Sequence, residues 1–133
     1  MEGLICLDSS VLIEYFRKKN KSETLFPKLS LQYSGFIIST IVHFEIYSGS
    51  THQQKILGDN LFSDFLIIPF TVAISNKAVS LSKELKVLNA NLDFKDLIIA
   101  ASAVNHNFPL ATLNEKHFNR IKGIQLITSS SFR

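Results

Sequence analysis

The 133-residue chain contains one cysteine, no tryptophan and no long apolar run. A lone Cys6 forms no internal disulfide and no zinc site, which excludes the disulfide-stabilised and zinc-binding small domains. No apolar run approaches the ~18 residues that a membrane span needs. The N-terminal residues lack the basic region and cleavage site of a secretory signal. From these absences we expect a cytoplasmic protein that does not associate with membranes.

Several catalytic motifs are also missing. The chain has no helical His-x-x-x-His pair, no Walker loop and no glycine-rich dinucleotide loop. The formal charge of +3 permits an anionic partner such as RNA but does not require one. Hydrophobic residues make up 46% and charged residues 19%, as is typical of a folded globular protein. The length suits one domain, which we expect to span residues 1–133.

Short apolar segments alternate with helical patterns along the chain. Strands are predicted at 4–7, 36–39, 66–70, 109–112 and 124–127. Continuous apolar strands between helices are typical of an α/β fold, a parallel sheet with helices on both faces. A helix is predicted over 23–33, with Ser34 and Gly35 as the turn that closes it. Most phenylalanines are expected in the core, among them Phe36, Phe44, Phe62, Phe65, Phe70, Phe94, Phe108 and Phe118.

Asp8 directly follows the first predicted strand and precedes a predicted helix. In open α/β sheets, functional crevices lie at the carboxyl ends of the strands, which makes Asp8 a candidate site residue. The alternative is that Asp8 is an N-cap of the following helix, a common role for aspartate. The position alone leaves both interpretations open.

Two further acids stand in apolar surroundings. Glu45 lies in an otherwise apolar helix, so it is either at the edge of the apolar stripe or buried with a cationic partner. Asp96 opens a strongly apolar helix, and Asp93 precedes it by three residues. Asp93 as N-cap and Asp96 in the first helical turn would also account for this pair, since both positions favour acids.

The three acids suggest a common purpose when they are considered together. Carboxylates that converge from strand and helix ends often hold a hard divalent cation such as Mg²⁺ or Mn²⁺ through oxygen ligands. A typical reaction at such a site is phosphodiester hydrolysis. Asp8, Glu45 and Asp96 are therefore the candidate metal ligands and catalytic residues.

With these acids in this order, the chain resembles the PIN-domain family, and within it the VapC-type ribonuclease toxins of type II toxin–antitoxin pairs. Four segments carry the resemblance, at 7–13 (LDSSVLI), 43–49 (HFEIYSG), 96–103 (DLIIAASA) and 110–118 (LATLNEKHF). The resemblance covers nearly the whole chain. It implies a PIN-like α/β/α sandwich with a five-stranded parallel sheet. It also implies a metal-dependent endoribonuclease that is neutralised by a cognate antitoxin and forms a homodimer.

The resemblance also assigns roles to single residues. Asp8, Glu45 and Asp96 match its three acidic positions, and Ser10 matches a small polar residue that supports the first. Asn114 stands where many relatives carry Asp or Asn. The residues expected to support the site are Ser10, Asp93, Thr112 and Asn114, and those expected to attract the RNA backbone are Lys95, Lys116 and Arg120.

The last motif departs from the family pattern. His117 stands where an acid before phenylalanine is common, which puts a second metal position in doubt. The four histidines show no metal-ligand spacing, so each is expected to be structural or exposed.

Two alternatives to the enzyme follow. One is a non-catalytic or weakly active PIN-like module that binds RNA or regulates, and the other is an unrelated α/β domain whose acids are helix caps. We look for the exposed apolar surface of a dimer between residues 23 and 65.

Overall fold

The computed structural model describes residues 2–132 and shows five strands alternating with helices over that range. A 3₁₀ turn, Lys21–Glu23, precedes the second helix, and another, Ser129–Phe132, follows the last strand. The strands are β1 Glu2–Leu7, β2 Tyr33–Ser39, β3 Leu66–Ile68, β4 Leu110–Ala111 and β5 Leu126–Ile127. The helices are α1 Ser9–Arg17, α2 Leu25–Gln32, α3 Thr40–Ser48, α4 His52–Phe62, α5 Val72–Val87, α6 Phe94–Asn105 and α7 Glu115–Phe118.

The strands form one sheet in the order β3-β2-β1-β4-β5, and every neighbouring pair is parallel. This confirms the predicted α/β fold with a five-stranded parallel sheet flanked by helices. The central strand β1 is apolar because helices cover both of its faces, and Ile5, Cys6 and Leu7 are buried. Burial raises the pKa of the Cys6 thiol to about 12, so this cysteine is inert at neutral pH.

The parallel register brings two strand ends together at the carboxyl edge of the sheet. Leu7 of β1 pairs with Ala111 of β4, and the Asp8 N–H donates to the Ala111 carbonyl at 2.9 Å. The residues that follow these strands, Asp8 and Thr112, are therefore neighbours although 104 positions separate them. Because β1 is the central strand, Asp8 stands at the middle of this edge.

The boundary between α2 and β2 differs from the predicted one. Tyr33, Ser34 and Gly35 were predicted to end a helix and form a turn, whereas they begin β2. Strand β1 starts at Glu2 and pairs with them, with Leu4 opposite Gly35. A Cβ on Gly35 would lie 2.7 Å from Leu4 Cδ2, so glycine permits a close approach of two strands here.

The phenylalanine prediction is wrong at three positions. Phe62 and Phe118 are buried, but the exposed fractions are 65% for Phe44, 49% for Phe70 and 66% for Phe94. In α3 the buried positions are Val42 and Ile46. Phe44 lies midway between them in sequence and therefore points away from the core. Phe70 and Phe94 lie just before α5 and at the start of α6, and their rings are 6.4 Å apart.

The exposed apolar surface therefore lies partly outside the span where we looked for it. Between residues 23 and 65, four phenylalanines pack in one cluster with their rings tilted by 43° to 49°, namely Phe26, Phe36, Phe62 and Phe65. A groove with Phe70, Val79 and Phe94 runs between α5 and α6 instead. None of the helices within residues 2–132 combines the length and the apolar character needed to cross a bilayer.

Candidate active site

Asp8 is held at the carboxyl edge of the sheet by two hydroxyl groups. Its side chain is buried, and Oδ2 accepts a hydrogen bond from Ser10 Oγ and another from Thr112 Oγ1, each at 2.8 Å. Asp8 occupies the N-cap position of α1 but its side chain makes no capping hydrogen bond. The helix-cap explanation of this carboxylate is therefore wrong.

The two hydroxyls are themselves oriented by the backbone. Ser10 Oγ accepts from the Leu113 N–H at 3.1 Å, and Thr112 Oγ1 accepts from the Asn114 N–H at 2.9 Å. A hydroxyl has a single hydrogen to donate, and here that hydrogen is directed at Asp8. Asp8 is thus held in one orientation by two neutral donors, which place no positive charge beside the carboxylate.

Glu45 reaches the site from α3. Its side chain is 16% exposed, and Oε2 lies 2.8 Å from Lys95 Nζ. The structure lies between the two interpretations left open by the sequence, since Glu45 is only partly buried but does have a cationic partner. The second oxygen, Oε1, is buried and has no hydrogen-bond partner. An unsatisfied buried carboxylate oxygen is costly, so Lys95 alone does not satisfy the Glu45 carboxylate.

Lys95 is surrounded by acids. Its pKa is raised, chiefly by the hydrogen bond to Glu45 and further by the charges of Glu45, Asp96 and Asp8, while partial burial opposes the shift. The ammonium therefore lies in the field of all three candidate carboxylates. The sequence predicted a contact with the RNA backbone for this lysine, whereas in the structure its charge is engaged by Glu45.

Asp96 lies in the first turn of α6 and is buried. Burial raises the pKa of its carboxyl, and the nearby charge of Asp8 adds to the rise, while a hydrogen bond with His117 opposes it. The bond joins His117 Nδ1 to Asp96 Oδ2 at 2.9 Å. Asp93, at the N-cap position, makes no capping hydrogen bond through its side chain. The capping explanation of this pair therefore fails at Asp93.

A cavity of about 150 Å³ joins most of these side chains. Glu45 does not line this cavity and is connected to it through Lys95. Thr112 lies behind Asp8, to which it is hydrogen-bonded. The lining residues are Asp8, Ser9, Ser10, Ile13, Asp93, Lys95, Asp96, Asn114 and His117.

Besides Glu45 and Thr112, two further predicted residues do not line this cavity. Lys116 and Arg120 line a neighbouring cavity of about 480 Å³, which shares the His117 side chain with the first.

Sequence reasoning missed the roles of two residues in the site. His117 was expected to be structural or exposed, and its side chain is 52% exposed, but the bond between its Nδ1 and Asp96 Oδ2 was not predicted. The signal was present, because His117 occupies a position where the family pattern has an acid. Lys95 was expected to attract the RNA backbone, and its pairing with Glu45 was not predicted, although a buried Glu45 would need a cationic partner.

The donor set fits a hard divalent cation. Carboxylate oxygens suit Mg²⁺ and Mn²⁺, Glu45 Oε1 lacks a partner, and the Lys95 ammonium stands among the carboxylates as a substitute positive charge. Within residues 2–132, no three or more His, Cys, Asp or Glu side chains form a ready-made metal cluster. Since Lys95 and His117 engage Glu45 and Asp96, these carboxylates would have to exchange partners to share an ion.

Comparison with known proteins identifies the class. The family model described as the PIN domain matches residues 5–124, so the chain belongs to the PIN-domain family. Within that family it resembles proteins named ribonuclease VapC. It is 34% identical to ribonuclease VapC1 of Methanocaldococcus jannaschii, across 91% of this chain and 83% of that protein. It is 31% identical to ribonuclease VapC1 of Rickettsia felis, across 97% and 98% of the two chains.

Solved structures with this fold come from toxin–antitoxin complexes. VapBC2 from Rickettsia felis, bound to a DNA fragment from its promoter, contains a chain that superposes with a TM-score of 0.82 at 26% identity, covering 94% of this chain and 98% of that one. A toxin–antitoxin complex from Klebsiella pneumoniae gives a TM-score of 0.74 at 29% identity, with coverage of 93% and 96%.

Proposed function

We propose that the chain is a metal-dependent endoribonuclease, the toxin of a toxin–antitoxin pair, which hydrolyses RNA phosphodiester bonds. Asp8, Glu45 and Asp96 are its catalytic residues and hold Mg²⁺ or Mn²⁺. The observation that carries the proposal is the arrangement of Asp8. It is a buried carboxylate, fixed by two oriented hydroxyls at a strand end and facing a cavity that also contains Asp96.

The protein residues have distinct tasks in this reaction. Ser10 and Thr112 fix the orientation of the Asp8 carboxylate. His117 orients the Asp96 carboxylate through Nδ1. Asp93 and Asn114 present further oxygen atoms to the same cavity. A divalent ion held by these carboxylates would lower the pKa of the water molecule that attacks the phosphate, and it would neutralise charge on the phosphate.

The lysine in the site acts on the carboxylates and on the substrate. With its ammonium at Glu45, Lys95 balances negative charge that would otherwise repel RNA. Its side chain is 46% exposed, so the ammonium has room to turn towards a phosphate. Lys116 and Arg120 line the adjacent cavity, where they attract the RNA backbone.

The partners and location follow from the same proposal. Relatives with this fold are found in toxin–antitoxin complexes, and we infer a cognate antitoxin that neutralises this chain. We also infer a homodimer and an activity in the cytoplasm, where the RNA substrate is. Co-expression with the product of an adjacent small reading frame tests the pairing, since an antitoxin co-purifies with the chain and suppresses RNA cleavage.

A second candidate function is a non-catalytic or weakly active PIN-like module that binds RNA or regulates. The observation in its favour is that Glu45 and Asp96 each already have a cationic or imidazole partner. Such a module binds RNA without cleaving it at any Mg²⁺ or Mn²⁺ concentration.

Removal of metal separates the two functions. The purified chain is incubated with structured and unstructured RNA in Mg²⁺, in Mn²⁺ and in a chelator, and the products are resolved by electrophoresis. The enzyme yields discrete fragments with either metal and none in the chelator. Cleavage that persists in the chelator contradicts metal dependence, and RNA binding without cleavage under all conditions favours the non-catalytic module.

A further inference from the structure

A polar cavity lies beside the candidate active site and has a different chemistry. It measures about 480 Å³ and lies between the end of α5 and α7. Its polar lining consists of Asn89, Asn91, Lys116, His117, Asn119 and Arg120. The size falls within the range of ~300 to 1,000 Å³ that is typical of small-ligand sites.

The two cavities have opposite charge. The candidate active site contains Asp8, Asp93 and Asp96, whereas the described lining of the second cavity includes Lys116 and Arg120 and no acid. An acidic pocket attracts a metal ion, and a basic pocket attracts phosphate. His117 lines both cavities, so the basic cavity directly adjoins the candidate active site.

One wall of the second cavity is fixed before any ligand arrives. Helix α5 ends in a Schellman motif, in which the Asn89 N–H donates to the Lys86 carbonyl at 3.1 Å and the Ala90 N–H donates to the Leu85 carbonyl at 2.8 Å. Asn89 has a left-handed backbone with φ of 53°. Ala90 is buried and anchors the turn. The exposed residues on either side of it, Asn89 and Asn91, are therefore held in place by a rigid backbone.

The opposite wall carries the cations. Lys116 and His117 belong to α7, and Arg120 follows it. The hydrogen bond between His117 Nδ1 and Asp96 Oδ2 ties this short helix to α6 and so to the active site. The cavity therefore has phosphate-binding groups on one side and amide groups on the other.

We propose that this cavity is a nucleotide subsite, which binds one ribonucleotide of single-stranded RNA next to the bond that is cleaved. Lys116 and Arg120 hold its phosphate, and the amides of Asn89, Asn91 and Asn119 hydrogen-bond the edge of its base. Amides offer both donors and acceptors, as reading a base edge requires. Imidazole and guanidinium planes also stack on unpaired bases, so His117 and Arg120 can contact the face of the bound base. This subsite rests on the proposed ribonuclease function.

RNA binding in a chelator tests the subsite without cleavage. The wild-type chain and single variants are titrated into fluorescent short RNAs, followed by anisotropy at several salt concentrations. A pool of short RNAs with randomised sequence is bound in parallel, and the retained fraction is sequenced. Asn89→Gly keeps the left-handed backbone and removes the amide, and Asn91→Ala removes the second amide. Lys28→Ala, at an exposed position of α2 that lines neither cavity, is the control.

The proposal predicts different effects for the two walls. Arg120→Ala weakens binding to all sequences and makes the slope of log affinity against log salt shallower by about 0.7, the value for one lost contact with a single strand. Asn89→Gly and Asn91→Ala leave the salt slope unchanged and reduce the preference for the favoured base by about fivefold or more. Lys28→Ala behaves as the wild type.

Other outcomes overturn the subsite. If the wild type binds and cleaves RNA but the three cavity variants match Lys28→Ala in slope and base preference, the subsite is wrong and the ribonuclease proposal stands. If the wild type neither binds nor cleaves RNA, both fail. Free nucleoside monophosphates are added as competitors, and binding as tight as that of the RNA would overturn an RNA subsite in favour of a free-nucleotide site.

Discussion

The two halves of the candidate site hold their carboxylates by different means. At the strand ends, Asp8 is bound by the neutral hydroxyls of Ser10 and Thr112, which are oriented by backbone N–H groups. In the half carried by α3 and α6, Glu45 is paired with Lys95. The strand half therefore keeps its negative charge available, while the helix half has part of its charge already balanced.

This difference indicates which half is prepared for a metal ion in advance. Neutral donors fix a carboxylate at little cost to its charge, so Asp8 needs no rearrangement to become a ligand. Glu45 and Asp96 must give up or share Lys95 and His117. We infer that Asp8 sets the position of the ion and that the helix half sets how tightly it is held.

Asp8→Asn has the largest expected effect. The substitution keeps the shape but removes the charge of the fixed carboxylate, so RNA cleavage should fall about a thousandfold or more, equivalent to ~4 kcal/mol of transition-state stabilisation. Initial cleavage rates in saturating Mn²⁺ measure it. Asp59→Asn on the surface of α4 is the matched control and should cleave normally. Full activity of Asp8→Asn would contradict the assignment of both halves.

Thr112→Val removes one of the two hydroxyls that hold Asp8 while keeping a similar shape. Loss of such a supporting hydrogen bond should reduce Mn²⁺ affinity or cleavage by about 10- to 100-fold. Thr112→Ser retains the hydroxyl and should stay within a few-fold of the wild type. Wild-type Mn²⁺ affinity and cleavage in Thr112→Val would contradict the role of its hydroxyl, and a loss confined to Thr112→Ser would assign the effect to the methyl group instead.

Lys95→Gln tests whether the Lys95 ammonium competes with a metal ion for Glu45. With the ammonium gone, Glu45 is free for a metal ion, and Mn²⁺ affinity measured by calorimetry should rise by about 3- to 10-fold. Lys55→Gln is the matched control, since Lys55 pairs with Asp59 at 2.9 Å on the exposed face of α4. Weaker Mn²⁺ binding in Lys95→Gln would mean that the lysine assists the ion instead of competing with it.

The smallest effect is a pH dependence of stability. Burial raises the folded-state pKa of Asp96 above its ordinary value, so the folded protein takes up a proton here before the unfolded chain does. The destabilising contribution of ionised Asp96 is therefore full above the raised pKa and fades as the pH falls through it. Urea unfolding without metal should show the wild type gaining stability relative to Asp96→Asn as the pH falls. A constant difference across that range would contradict the burial of an ionised Asp96.

The strand half was largely predictable from the sequence. A continuous apolar strand followed by an acid places Asp8 at the carboxyl edge, and Ser10 and Thr112 were expected to support the site. What the sequence could not specify is that both hydroxyls donate to one oxygen, because this depends on the register that pairs Leu7 with Ala111. The first three residues of β2 were missed for a similar reason, since a glycine that admits a close neighbour looks like a turn when its partner Leu4 is unknown.

The helix half was predictable in its acids but not in their partners. The sequence left open whether Glu45 is paired with a cation, and the identity of its partner is decided by how α3 packs on α6. His117 meets Asp96 because α7 packs against α6, a contact that spans 21 residues. Local patterns predict which residue types are out of place, and tertiary packing determines which of them meet.

A crystal soaked in Mn²⁺ and measured for anomalous scattering tests the central claim, that Asp8, Glu45 and Asp96 share one divalent ion. We predict a single strong peak in the candidate cavity with oxygen atoms of all three carboxylates around it and Lys95 Nζ displaced from Glu45. An ion bound elsewhere, or no peak at an Mn²⁺ concentration that supports RNA cleavage, would contradict the account.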